Sequence, residues 1–199
     1  MVYKSLCAVA LLYSIAGAQT LEIALPEGDA ATLQVVAERE ITLSIRADLA
    51  GAGGVSGLVF HLAVPAGAFA FEAPAPFRQG TLFAGATEFS NDVLRGAQAI
   101  GGPLGMDVLS YALVAGPGSQ RGRTGRGEVA RLTLRPLRTG AVPVAFIQSP
   151  AYPGNVVLDD GLGERSFQRM RGIELFVGDG GSGKPAIGDT WAALKRQFQ

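Results

Sequence analysis

Hydrophobic and polar residues alternate along most of this chain with a period of two. In "EITLSIRAD", Ile41, Leu43 and Ile45 fall on one side and Glu40, Thr42, Ser44 and Arg46 on the other, the pattern of a half-buried strand. "GLVFHLAVP" places Leu58, Phe60, Leu62 and Val64 on one face and ends at Pro65, which puts His61 on the opposite, outer face. "GMDVLSYALVAG" and "AVPVAFIQ" are further runs of residues that suit strands. From Glu128 the alternation sets Ala130, Leu132 and Leu134 against Val129, Arg131, Thr133 and Arg135.

Turn clusters punctuate these runs at Gly51 to Gly54, Pro65 to Gly67, Gly101-Gly102-Pro103, Gly116 to Gly118 and Asp159-Asp160-Gly161. No helical stripe is found before Gly178. Short strands at regular spacing with Gly and Pro turns predict an all-β fold, an antiparallel β-sandwich. Residues 115–140 hold six of the seventeen Lys and Arg residues. Arg121, Arg123 and Arg126 lie in a Gly-rich loop, and Arg131 and Arg135 lie on a strand's outer face, where charge also discourages edge-to-edge pairing. No aromatic residue interleaves with them, so the stacking platforms of single-strand nucleic-acid binding are missing. A solvated hairpin loop accounts for these arginines, and no nucleic-acid partner is expected.

The 199 residues carry no net charge at pH 7, so the chain as a whole exerts no long-range pull on polyanions or acidic membranes. Its first residues combine Lys4, an apolar run from Leu6 to Leu12 and the small-residue ending Ala16-Gly17-Ala18, the layout of a secretory signal peptide cleaved between Ala18 and Gln19. The run is too short to span a bilayer as a helix, so membrane contact is expected only through this leader. The expected location is outside the cell or at its surface, with the periplasm as the variant. Cys7 is the sole cysteine and lies within the leader, so the mature chain forms no disulfide and depends on its core. The expected organisation is a leader over residues 1–18, a sandwich over 19–177, and a Gly-rich linker with a short helical tail over 178–199.

Catalytic chemistry is thinly supplied. His61 is the only histidine, which excludes a multi-histidine metal site and leaves one base for any Ser/His/Asp triad. Glu88, Asp92, Asp107, Asp159, Asp160 and Glu164 are the candidates for a carboxylate pair of the glycosidase kind. Turn chemistry explains Asp159-Asp160 before Gly161 without catalysis. The same pair with Glu164 is the one candidate for a weak loop calcium ion; no cofactor is otherwise expected. Neither Gly-rich loop fits a phosphate loop, since Lys184 is followed by Pro185. Sugar-binding sandwiches display exposed aromatic rings in a row. Here Trp191 lies in the tail, Tyr111 and Tyr152 are scattered, and Phe60, Phe69, Phe71, Phe77, Phe83 and Phe89 read as core.

The order of segments adds a family resemblance. Residues 41–73, "ITLSIRADLAGAGGVSGLVFHLAVPAGAFAFEA", resemble the opening of a cohesin domain, with Val64 where that family usually places Asp before Pro. Residues 107–146 are similar to its later part, a strand leading through a Gly-rich loop to two more, and "RGIELFVGD" is similar to the closing strand. The resemblance implies a jelly-roll sandwich of about nine strands that acts by binding. The tail, "GDGGSGKPAIGDTWAALKRQFQ", resembles half a dockerin repeat, with Asp179 at the first acidic position and Gly181 and Gly183 where ligand oxygens would stand. With too few oxygens for calcium, it reads instead as a linker and a helix capped by Asp189, with Trp191, Leu194 and Phe198 in one stripe. The function expected is an exported non-catalytic module for an extracellular or envelope protein partner, with a carbohydrate-binding module for polysaccharide as the alternative.

Overall fold

The computed structural model describes residues 19–24, 32–51, 53–72, 75–96, 101–115, 122–158 and 163–179. The expected leader, the helical tail, and Asp159, Asp160 and Arg121 lie outside the described residues. Most of the described residues are in strands, and Thr81–Phe83 form a 3-10 turn. Its strands are β1 (Thr20–Ala24), β2 (Thr32–Val36), β3 (Ile41–Asp48), β4 (Val55–Pro65), β5 (Phe69–Phe71), β6 (Phe77–Gln79) and β7 (Thr87–Leu94). They continue as β8 (Met106–Val114), β9 (Arg126–Pro136), β10 (Gly140–Ile147), β11 (Asn155–Leu158), β12 (Glu164–Ser166), β13 (Arg169–Arg171) and β14 (Ile173–Gly178).

Two sheets form a sandwich of the jelly-roll type. One runs β13-β1-β3-β9-β5, with β6 also on β9. The other runs β12-β11-β4-β10-β14-β2, and β8 occupies the opposite edge of β4 with β7 outside it. There are fourteen strand segments where about nine were expected, because short pieces such as β5, β6, β12 and β13 pair separately along the longer strands. Pairing is mostly antiparallel, as expected, but β1 with β13 and β2 with β14 run parallel.

The alternation in β3, β4 and β8 buries one side of each. Leu43, Ile45, Leu58, Phe60, Leu62, Leu109, Tyr111, Leu113, Leu132 and Leu134 join one core between the sheets. At its centre the Phe60 ring meets Phe77 edge-on at 5.5 Å, Phe146 edge-on at 5.8 Å and Tyr111 at 5.5 Å. Phe77 belongs to the first sheet and the other three to the second, so these rings join the layers. A polar seam reinforces them. The Asn91 side chain accepts from Phe77 N–H at 3.0 Å and donates to Phe77 C=O at 2.8 Å, as a strand's backbone would, and Tyr111 donates to Glu88 at 2.8 Å.

Two alternations shift where a bulge intervenes. Val129 was expected outside, but it is fully buried, because the β3–β9 register slips between Ile45/Ala130 and Arg46/Glu128 and leaves Val129 as the extra residue. Gly80 donates to its carbonyl at 2.9 Å, and a Cβ at Gly80 would stand 2.3 Å from Glu128 O, so only glycine permits this approach. Phe89 was expected in the core with the other phenylalanines. It is instead 72 % exposed, because the β7–β8 register shifts between Glu88 and Ser90 and leaves it unpaired.

Truncating the ring at the centre removes contacts with both layers and leaves a void that the two sheets cannot close. Phe60→Ala is therefore expected to cost roughly 3–5 kcal/mol of stability, read as a shift in the urea midpoint at unchanged slope.

Candidate functional site

The two outer faces of the sandwich differ in chemistry. On the sheet of β1, β3 and β9, the outward residues include Glu22, Arg46, Asp48, Arg126, Glu128, Arg131 and Arg135. Four ion pairs cover it or its rim: Arg126–Asp48 at 2.7 Å, Arg131–Glu128 at 2.7 Å, Arg135–Glu38 at 2.6 Å, and Arg78–Glu72. Arg131 and Arg135 face outward, as the alternation implied, whereas Arg126, expected in the loop, already opens β9 opposite Asp48. Arg123, expected in a loop, makes an isolated bridge with Val55.

The outer face of β7, β8, β4 and β11 is nearly free of charge. Its outward residues stand in cross-strand rows: Ser90, Ala112, Val59 and Asn155 in one, and Thr87, Val114, Gly57 and Val157 beside it. Next comes Asp92, Ser110, His61 and Ile147, and then Leu94, Val108, Ala63 and Ala145. Charge enters through Asp92 and Glu164, each on a flanking strand. Small side chains keep the floor level, and a Cβ at Gly57 would already meet Leu113 O at 2.8 Å. Phe89 is exposed on the marginal strand β7, and Val114 of β8 is 37 % exposed.

Part of this face is covered. Residues 149–152 form a tight turn in which Ser149 and Tyr152 exchange two backbone hydrogen bonds of 3.0 Å. The turn lays Tyr152 over the sheet, edge-on to the His61 ring at 5.1 Å, in a small apolar cluster with Val108, Leu94 and Ile147. His61 points outward as its alternation predicts, yet is only 8 % exposed. Its Nδ1 lies 2.8 Å from Ser110 Oγ, and its Nε2 is buried without a hydrogen-bond partner. Burial holds His61 down at about 4, below the ordinary 6.5 of a histidine.

A contact between a serine and a histidine invites a catalytic reading, but the order of groups is wrong for it. The row runs Asp92, Ser110, His61, with the serine in the middle and no acid hydrogen-bonded to the imidazole to orient it. The other carboxylates are separately employed. Glu88 accepts from Tyr111 on the core side of β7, Asp92 accepts from Ser90 on the outer side, and Glu164 accepts from Asn155. Asp107 binds Arg95 Nη1 and the N–H groups of Gly96 and Gly67, pinning two loops at one end of the sandwich. Burial alone would raise its carboxyl; Arg95 and the two N–H groups outweigh that and hold it below the ordinary carboxylate value. Burial, then the Glu88 carboxylate, pushes the Tyr111 hydroxyl up. Among the described residues no group of three or more His, Cys, Asp or Glu side chains is placed to hold a metal ion.

The candidate carboxylates among the described residues are therefore dispersed, and Phe89, Val114, Ser110 and Tyr152 were not singled out by the sequence. The readable signal for Phe89 was a lone aromatic ring in the polar run "TEFSND". Nothing local marks Tyr152, which reaches the face through a turn that folds back.

No protein-family model matches the chain, and no curated protein sequence matches it. Solved structures do. A type II cohesin domain from the cellulosome of Acetivibrio cellulolyticus superimposes with a TM-score of 0.56 at 11% identity, over 80% of this chain and 95% of that one. A non-cellulosomal cohesin from the archaeon Archaeoglobus fulgidus gives 0.52 at 11% identity, over 81% and 92%. The sixth cohesin of Acetivibrio cellulolyticus scaffoldin B, solved in complex with a Cel5 dockerin, gives 0.56 at 9% identity, over 81% and 100%. The chain has the fold of a cohesin domain, in agreement with the order of its segments.

The histidine gives this face a pH signature. Its folded value lies below the unfolded 6.5, so the unfolded chain takes up the proton first as pH falls. Its contribution is constant above pH 7, and stability is lost between pH 6.5 and 4, by up to roughly 3 kcal/mol. Urea unfolding at pH 7.5, 6, 5 and 4 is expected to show this loss as a difference between the native chain and His61→Gln, in which it is absent.

Proposed function

We propose that this chain is an exported, non-catalytic docking module that binds a protein partner outside the cell or at its surface. The observation that carries the reading is the segregation of charge between the faces: ion pairs cover one sheet, while β7, β8, β4 and β11 of the other offer a nearly neutral floor, with Val114 exposed on β8 and Phe89 exposed on the marginal strand β7. A patch depleted of charge and edged by an aromatic anchor is the composition of an interface core with a polar rim. Four strands at about 4.8 Å spacing make a floor roughly 15 Å wide, matched to a helix of about 10–12 Å laid on it.

Other considerations agree. The leader-like residues 1–18 support export. The scaffoldin B cohesin of the same fold was solved with a dockerin bound, a protein ligand. The polysaccharide alternative draws less support, since Phe89 is the one strongly exposed aromatic ring among the described residues and a single ring makes no stacking row. For the tail over residues 178–199, the reading keeps a linker and a helical segment.

Residues 19–199, immobilised, are expected to capture a protein from the host's extracellular and envelope fractions. Phe89→Ala with Val114→Asp is expected to weaken that capture at least tenfold, and Arg131→Glu on the charged face to leave it unchanged. Equal capture by the first variant would move the interface elsewhere, and retention on insoluble polysaccharide without any protein captured would replace this reading with the glycan one.

A further inference from the structure

The buried histidine stands outside the core that joins the two sheets. His61 lies on the outer side of β4, away from the core between the sheets, and a single turn covers it. Among the described residues, the groups that face it are uncharged at neutral pH: Ser110 from β8, Ile147 from β10 and the Tyr152 ring from the turn. The nearest acid in its row, Asp92, stands beyond Ser110 on β7 and already accepts from Ser90. A proton on His61 would place two N–H donors and a full charge under an aromatic ring, with Nε2 facing no acceptor. Water is the missing acceptor, and Tyr152 is what excludes it.

We propose that the Ser149–Tyr152 turn is an acid-released cover on the docking face: protonation of His61 expels Tyr152, uncovers Val108 and Ser110, and turns the middle of a neutral floor cationic. The proposal rests on the reading of this face as the binding surface, and it names the condition that remodels it. The cover is poised for local release because its apolar cluster is small, consisting of Tyr152, Val108, Leu94 and Ile147, and is separate from the main core. Opening therefore leaves the contacts of Phe60, Phe77 and Tyr111 intact. A partner selected on the covered face meets a different surface in acid, one that favours carboxylates near the centre.

The magnitude follows from linkage. With His61 near 4 when covered and at an ordinary 6.5 when open to water, the open-to-closed ratio rises about thirtyfold between pH 8 and pH 5. The experiment is NMR on the folded chain alone, so it does not depend on a partner being found, and its failure would leave the docking reading standing. The His61 ring titration is followed in the native chain and in Tyr152→Ala, together with amide exchange at Ser149 and Tyr152, corrected for intrinsic rates, in the native chain and in His61→Gln.

The expected result has three parts. His61 titrates near 4 in the native chain and moves back towards 6.5 in Tyr152→Ala. Ser149 and Tyr152 amides lose protection about thirtyfold between pH 8 and pH 5, while core amides in β4 and β9 lose far less. The loss is absent in His61→Gln. The proposal is overturned if the His61 titration ignores Tyr152→Ala, if turn and core amides lose protection together, or if His61→Gln behaves as the native chain does.

Discussion

The sandwich depends on the meeting of Phe60 with Phe77 and Tyr111. Each ring is fixed by its own sheet, Phe77 through the pairing of β6 with β9, and Phe60 and Tyr111 through the pairing of β4 with β8. Their edge-on and tilted contacts at 5.1 to 5.5 Å set how far apart the layers stand. Asn91 then works beside them as a side-chain substitute for a ladder, closing the gap between β7 and β6 that no backbone pairing spans. With the layers held in this way, β4 can be paired along both edges and used on both faces, Leu58, Phe60, Leu62 and Val64 in the core and Gly57, Val59, His61 and Ala63 on the outer floor.

That double use explains the difference between the two surfaces. β3 and β9 carry charge on their outer side, where water and ion pairs are available, so that face is soluble and self-satisfied. β4 and β8 carry Gly57, Val59, Ala63, Ala112 and Val108 there, an apolar selection that water alone does not explain. The chain itself covers a portion with Tyr152, where the sheet would otherwise expose His61 and Val108. The remaining floor is the uncharged ground on which the proposed docking would take place.

Much of this was legible in the residues. Alternation in β3 and β4 gave those strands, their inward sides and the outward direction of His61, residue type alone marked β8, and the order of segments gave the fold. What escaped were events that a period of two cannot encode. A bulge shifts the face of every residue on one side of it, which is why Val129 turned inward and Phe89 outward. The burial of His61 comes from residues some ninety positions later folding back across the sheet, and no local pattern near either partner records that contact. The short strands β5, β6, β12 and β13 escaped for a related reason, since three residues are too few to show a period.

The bulge at Phe89 also governs what this molecule refuses. Among the described residues β7 pairs only with β8, so its far side presents a row of backbone donors and acceptors unpaired by any described strand, the feature that lets sheets grow by recruiting strands from other chains. An incoming strand in regular register would lose step at Phe89, where one residue has no counterpart across the ladder. The residue that leaves an aromatic ring exposed thereby also spoils the template for fibrous growth.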